Sequence, residues 1–163
     1  MADVLEGKVL INGTDIWTEY GAFLAEEKRG GMDNLTEILK ASKVKEYVGV
    51  DLREEAGKRY ADALNVMNEE RDVTLHFAIM ADTKADWLTK YMNFIRMLKY
   101  GNNGWLSIRF TDLKYARYNT LTTLTLRMFY QDCAMVKPLT YLWNEGKHAA
   151  RFKVRFREPL PLY

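Results

Sequence analysis

The chain has 163 residues, 48% of them apolar and 28% charged, and carries a formal net charge of +2. That size allows one core of ordinary dimensions, the composition excludes general disorder, and the near balance of charge gives the whole molecule no strong pull toward nucleic acid. The single cysteine, Cys133, excludes an intramolecular disulfide, and no apolar run reaches the roughly 18 to 20 residues of a membrane helix, so no membrane anchor is expected.

Met1-Ala2-Asp3-Val4 lacks a signal-peptide pattern, which points to a protein made and kept in the cytoplasm or exported by a route other than secretion. Residues 8–11 read as a strand, and Asn12-Gly13 supplies the positive backbone angles of a type I′ turn. Residues 16–24 follow as the returning strand, with Trp17, Tyr20 and Phe23 seeding packing and Tyr20-Gly21 marking a bulge. A charged loop over 26–31 leads to a short helix over 34–41 with Leu35, Ile38 and Leu39 on one side. Residues 45–50 suggest another strand. The charged segment 51–60, which contains Gly57, suits an exposed loop or protruding hairpin, and 61–70 is either weakly helical or connecting coil.

Residues 72–110 carry the clearest pattern. Val73, Leu75, Phe77 and Ile79 alternate with Thr74, His76, Ala78 and Met80, the period of a strand with one apolar face. Thr83 and Asp86 open a helix with a capping-box-like pair, and Trp87, Leu88, Tyr91, Ile95 and Leu98 recur at helical spacing. Gly101 suits a left-handed helix end, Asn102-Asn103-Gly104 a turn, and 105–110 a second strand. The helix between two strands allows a local parallel crossover, while the other connections look like hairpins.

A Tyr- and Arg-rich turn region over 112–119 precedes a strand over 121–130, where Leu124, Leu126, Met128 and Tyr130 share a face. Pro138 is expected to break the chain before a strand over 139–143, and Asn144-Glu145-Gly146 turns into a last strand over 148–158. There Ala150, Phe152, Val154 and Phe156 lie opposite Arg151, Lys153, Arg155 and Arg157. Four like charges in a row need water, a partner's carboxylates or phosphates in front of them. Five to seven strands and one substantial helix imply an α+β fold, mainly an antiparallel β-sandwich or barrel with the helix packed on its side, in one domain over 1–163.

Chemistry is sparse. His76 and His148 have no companions at metal-ligand spacing, and no phosphate loop, nucleophile elbow or dinucleotide fingerprint occurs. Glu54-Glu55 and Glu69-Glu70 are adjacent pairs whose carboxylates point apart, unsuited to shared acid and base work. No enzyme activity, metal or cofactor is expected. Tyr100, Trp105, Phe110, Tyr115 and Tyr118 interleave with Lys99, Arg109, Lys114 and Arg117, a composition shared by protein interfaces and by single-strand nucleic-acid sites.

Ile11-Asn12-Gly13-Thr14-Asp15-Ile16 with Glu19-Tyr20-Gly21-Ala22 resembles the N-terminal strand pair of distal tail proteins and related tail proteins of long-tailed bacteriophages and prophages. Lys45-Glu46-Tyr47-Val48, then Asp51-Leu52-Arg53-Glu54-Glu55-Ala56-Gly57-Lys58-Arg59 and Arg71-Asp72-Val73-Thr74-Leu75-His76-Phe77, is similar to the family's charged loop and following strand. Arg155-Phe156-Arg157-Glu158-Pro159 is similar to its closing strand. The resemblance implies a structural, ring-forming subunit, commonly hexameric, that joins tail tube to baseplate or tip and contacts neighbouring tail or baseplate proteins. DNA would pass through its channel without specific binding, and the protein would move from the bacterial cytoplasm to the virion tail. Many members carry a second domain, and this chain reads as the ring-forming part. Complementary patches for ring closure are Arg53, Glu54, Glu55, Glu69 and Glu70 on one side and Arg151, Lys153, Arg155 and Arg157 on the other. A small nucleic-acid-binding module built on the basic strand and the Tyr/Arg region is the alternative.

Overall fold

The computed structural model describes residues 6–26, 28, 31–111, 114–115, 119–120, 124–142 and 146–163. Along the chain lie β1 (Val9–Ile11), β2 (Thr14–Asp15), α1 (Ile16–Tyr20), β3 (Ala22–Leu24), α2 (Asp33–Leu39), β4 (Val50–Asp51) and β5 (Lys58–Arg59). Then come β6 (Arg71–Ala81), α3 (Lys84–Tyr100), β7 (Leu106–Phe110), β8 (Lys114–Tyr115), β9 (Asn119–Thr120), β10 (Leu124–Leu142) and β11 (Lys147–Glu158). Seven strands form one antiparallel sheet in the order β2-β1-β7-β10-β11-β6-β3, with the helices packed on it, an α+β fold. None of the helices among the described residues is long and apolar enough to cross a membrane.

The core follows from period-2 burial on the central strands. Val73, Leu75, Phe77 and Ile79 of β6 are fully buried, and the register sets Phe77 beside Phe152 and Val73 beside Phe156 of β11. α3 covers this face. Its Phe94 ring meets Phe77 at 5.5 Å, Phe152 at 6.0 Å and Tyr20 at 5.6 Å between centroids, distances at which edge-on ring contacts add to simple burial. Trp87 Nε1 donates to Ile79 O (2.9 Å), so the indole is buried without an orphaned donor. The buried stripe is Trp87, Phe94 and Leu98, with Tyr91 and Ile95 half-buried beside it. Leu88, expected on it, is 52% exposed, and Phe94 replaces it.

Thr83 caps α3 as expected, its hydroxyl accepting from Asp86 N at 3.1 Å. Gly101 ends it with φ 38° and ψ −131°, which is not the left-handed cap the sequence suggests. A side chain there would place Cβ 2.6 Å from Trp105 O, so glycine is required by close backbone approach as well as by φ. β6 and β7, joined by α3, are not parallel neighbours. β11 and β10 lie between them, and three antiparallel steps leave β6 and β7 running in opposite directions.

Of the segment 16–24, expected as one strand returning along β1, only Ala22–Leu24 is a strand, and it pairs with β6; residues 16–20 form α1. Asp15 Oδ1 accepts from Trp17 N (3.2 Å) and its Oδ2 from Thr18 Oγ1 (2.8 Å), which caps α1, and Gly21 (φ 63°) closes that helix before β3 begins. The turn at Asn12 (φ 52°) and Gly13 (φ 83°) has the positive angles expected of it. β10 also differs from expectation, since it runs through Pro138 instead of stopping there. Against β11 the register slips at Tyr130/Asp132, Met135/Lys137 and Lys137/Thr140. Each slip is a β-bulge, and Pro138 sits in the third, where a missing N–H breaks no ladder bond. Of the turn expected at 144–146 only Gly146 (φ 64°) is described, and residues 112–113, 116–118, 121–123 and 143–145 lie outside the described residues.

The part of β6 left unpaired by β3 is shielded. Where β3 ends, polar side chains of α2 and its flank take over the edge of β6: Asn34 Oδ1 accepts from His76 N (2.7 Å), Glu37 Oε2 from Thr74 N (3.0 Å), and Lys40 Nζ donates to Asp72 O (2.9 Å). Beyond Met128, β10 has a strand partner on one side only, and its bulges, Lys137 and Pro138 are devices that discourage strand addition.

Cys133 lies half-buried on the α3 side of β10, its Sγ 3.7 Å from Tyr91 Oη. Burial pushes both the thiol and the phenol above their ordinary values of 9.0 and 10.0. The folded chain therefore keeps protons that the unfolded chain releases, so their contribution is complete below about pH 9 and is lost as pH rises further. Melting temperature should fall on the alkaline side, and less steeply in Tyr91→Phe. Identical alkaline profiles for the two proteins would contradict this coupling.

Candidate subunit interface

Between Lys40 and Arg71 the chain leaves the body. The strand expected over 45–50 is present only at its last residue, in β4, and 61–70 is connecting coil without a helix; the segment 43–70 mixes charged, Asn and scattered apolar residues and offers the core no continuous face. Its legs are stapled at the root, where Glu69 N donates to Lys43 O (2.7 Å), Lys45 N donates to Met67 O (2.7 Å), and Val44 bridges Asn68. At the tip, β4 and β5 form the hairpin, turning through Gly57 (φ 75°), with an Arg59–Glu55 ion pair at 2.6 Å. The Tyr60 ring lies against Gly49, where a Cβ would sit 2.8 Å from it.

No residue from Ala41 to Glu70 is buried. Val48 is 89% exposed, and Val50, Tyr60, Leu64, Val66 and Met67 are each close to half exposed or more. Isolated exposed apolar residues are ordinary, but this many on one protruding arm make an exposed apolar surface of the kind interaction sites use. A groove of about 1110 Å³ runs beside the root, between Met67–Glu70 and Pro159–Pro161.

Arg53, Glu54 and Glu55 sit at the arm's tip, Glu69 and Glu70 at its root, and Arg151, Lys153, Arg155 and Arg157 on the outer face of β11. The tip groups are not brought to the basic row. The root is, because Glu70 pairs with Arg157 at 3.3 Å within the same chain. Arg157 also donates to Asp72 Oδ1 (2.9 Å), and that bond raises the guanidinium's already high pKa. Arg155 meets Asp132 at 2.6 Å, and Arg151 Nη1 donates to Glu26 O (2.7 Å). Lys153 is exposed in register between Ala134 and His76.

The row therefore finds most of its acceptors inside the chain. Reading β11 alone shows only its own charges, whereas pairing with β6 and β10 sets Asp72 and Asp132 opposite Arg157 and Arg155. Exposed pairs of this kind contribute little stability, but they lower the demand for acids or phosphates from a partner. Phe110, counted among the interleaved aromatics, is fully buried, and Arg127 covers the Trp105 ring at 4.2 Å. Arg117 and Tyr118 lie outside the described residues.

Sequence reasoning missed the anchor of the arm. Arg71, at the start of β6, and Glu158, at the end of β11, are each 3% exposed and pair at 2.9 Å. Arg71 also donates to Ile38 O (3.2 Å) and Lys40 O, the last carbonyls of α2, and its guanidinium lies 4.8 Å from the Tyr163 ring centroid. Ser42 N and Oγ both donate to Tyr163 O, at 3.1 and 2.9 Å. The signal available in the sequence was weak: an Arg and a Glu at the outer ends of two apolar strands. Comparisons of the chain with protein-family models, curated proteins and solved structures returned no match.

Proposed function

We propose that the protein is a structural subunit of a phage or prophage tail, forming a homo-oligomeric ring between tail tube and baseplate or tip. The observation that carries the self-association is the arm over 43–70, without a buried residue and apolar in many places, projecting from a body whose core strands are covered. An exposed apolar element supplies the area a subunit contact needs, and a heterologous contact of that kind closes into a ring or runs on as a filament. Assignment to a tail rests on the motif resemblance in 11–22, 45–59, 71–77 and 155–159. In this reading the protein acts without catalysis or cofactor, and DNA passes through the ring without sequence-specific contact.

The nucleic-acid module loses its main support, since Arg155 and Arg157 are already faced by Asp132, Asp72 and Glu70. Electron micrographs of the purified protein test the proposal. Annular particles of uniform diameter are expected, and a field of single small particles at every concentration would overturn it.

A further inference from the structure

We propose that a hollow on the outer face of the sheet receives the arm of a second copy of this chain. The inference rests on the self-association reading above and supplies its missing half, the surface that the arm meets. Strand register builds the hollow. One row across the sheet runs Phe23, Ala78, Arg151, Lys137, and the next sets Met80 beside Ala149. Two alanines among larger neighbours leave a mostly apolar depression of about 280 Å³. Phe23 forms one wall, held by the Trp17 ring at 5.8 Å, and the rim carries the cations Arg151 and Lys137 together with Glu26, whose carboxylate is already taken up by Asp33 N (2.7 Å) and Asn34 N (3.3 Å) of α2.

A depression with an apolar floor and a basic rim fits an apolar side chain that has a carboxylate next to it. The arm presents that combination twice, at Val50-Asp51-Leu52 and at Tyr60-Ala61-Asp62. Charge agrees. Residues 43–70 hold five Lys/Arg and seven Asp/Glu, a net −2, so the chain's total of +2 leaves +4 on the remainder. The arm's 28 residues also match the roughly 20–30 residues a side of an ordinary stable interface.

The arm's root lies at the Arg157 end of β11 and the hollow at the Ala149–Arg151 end, about 20 Å apart at roughly 3.3 Å per residue. Donor and acceptor surfaces are thus well separated on one subunit. A second copy docking by this contact leaves its own hollow open for a third, the head-to-tail geometry that builds a ring.

The test compares solution masses by light scattering for the wild type, an arm-shortened chain, Ala149→Trp and Lys137→Glu, with circular dichroism on each to confirm folding. Ala149→Trp fills the hollow, and Lys137→Glu reverses an exposed rim charge without touching the core. Both should shift dissociation toward monomer by at least tenfold, as arm shortening does. If shortening the arm disperses the assembly while both hollow variants keep the wild-type mass, the hollow is not the seat and this inference falls, with self-association through the arm intact. A monomeric wild type overturns the self-association reading itself.

Discussion

Replacing Arg71 with alanine should destabilise the fold by about 3–5 kcal/mol, the usual loss when one partner of a buried ion pair is removed. The cost comes from what stays behind. Glu158 is 3% exposed and would keep a buried carboxylate without its cation, and the carbonyls of Ile38 and Lys40 would lose their shared donor at the end of α2. Lysine should not rescue the site, because one ammonium cannot reproduce a fork that meets Glu158 Oε2 from both Nε (3.1 Å) and Nη2 (2.9 Å) while Nη1 holds α2. The double variant Arg71→Met/Glu158→Leu should recover most of the loss, since it leaves no unpaired charge. Urea denaturation of the three variants measures this, and a loss under about 1 kcal/mol for the alanine variant would show that the pair is not a structural clamp.

The position of the clamp bears on the proposed association. Arg71 and Glu158 join the ends of β6 and β11, and the same guanidinium holds the end of α2, from which the arm departs. Ser42, at the start of the arm, is tied to Tyr163, whose hydroxyl donates to Ile38 O at 2.5 Å. The arm is therefore exposed along its length but fixed at its root, a presentation that reduces the ordering cost of association.

Shortening the arm should separate assembly from folding. Joining Glu46 to Val66 through a two-residue Asn-Gly turn keeps the paired root and removes the tip hairpin. Since no residue between Ala41 and Glu70 is buried, the melting temperature should stay close to that of the intact chain. Association should collapse. Burying a Val or Leu side chain contributes roughly 1.5–3 kcal/mol, so losing only two or three such contacts weakens binding by about a hundredfold or more.

Much of the fold was legible because burial imposes a period. β6, β7 and the first half of β10 show period-2 alternation, and α3 shows a capped helical stripe, since each packs one face on a common core. β10 became illegible after Tyr130 because each of its bulges moves the alternation onto the other set of residues. The segment 16–24 was misread because bulky Trp17, Tyr20 and Phe23 favour a strand locally, whereas the cap at Asp15 and the positive φ at Gly21 decide for a short helix.

The candidate interface was legible only in part. Charge marked Arg53, Glu54 and Glu55 as exposed, and they are, but the apolar content of the arm follows no period and gave no signal. The basic row was visible, while its carboxylates were not, since Asp72 and Asp132 are distant in sequence and meet Arg157 and Arg155 only through strand pairing. Arg71 and Glu158 illustrate the same limit across 87 residues.

The central claim is self-association through the arm, and the solution mass of the intact and arm-shortened chains measured side by side tests it most directly. The expected result is an assembly several times the 19.1 kDa of one chain, roughly sixfold for a hexamer, that falls to a folded monomer when the arm is shortened. An intact chain that stays at 19.1 kDa up to millimolar concentration, or an assembly that survives loss of the arm unchanged, would contradict it.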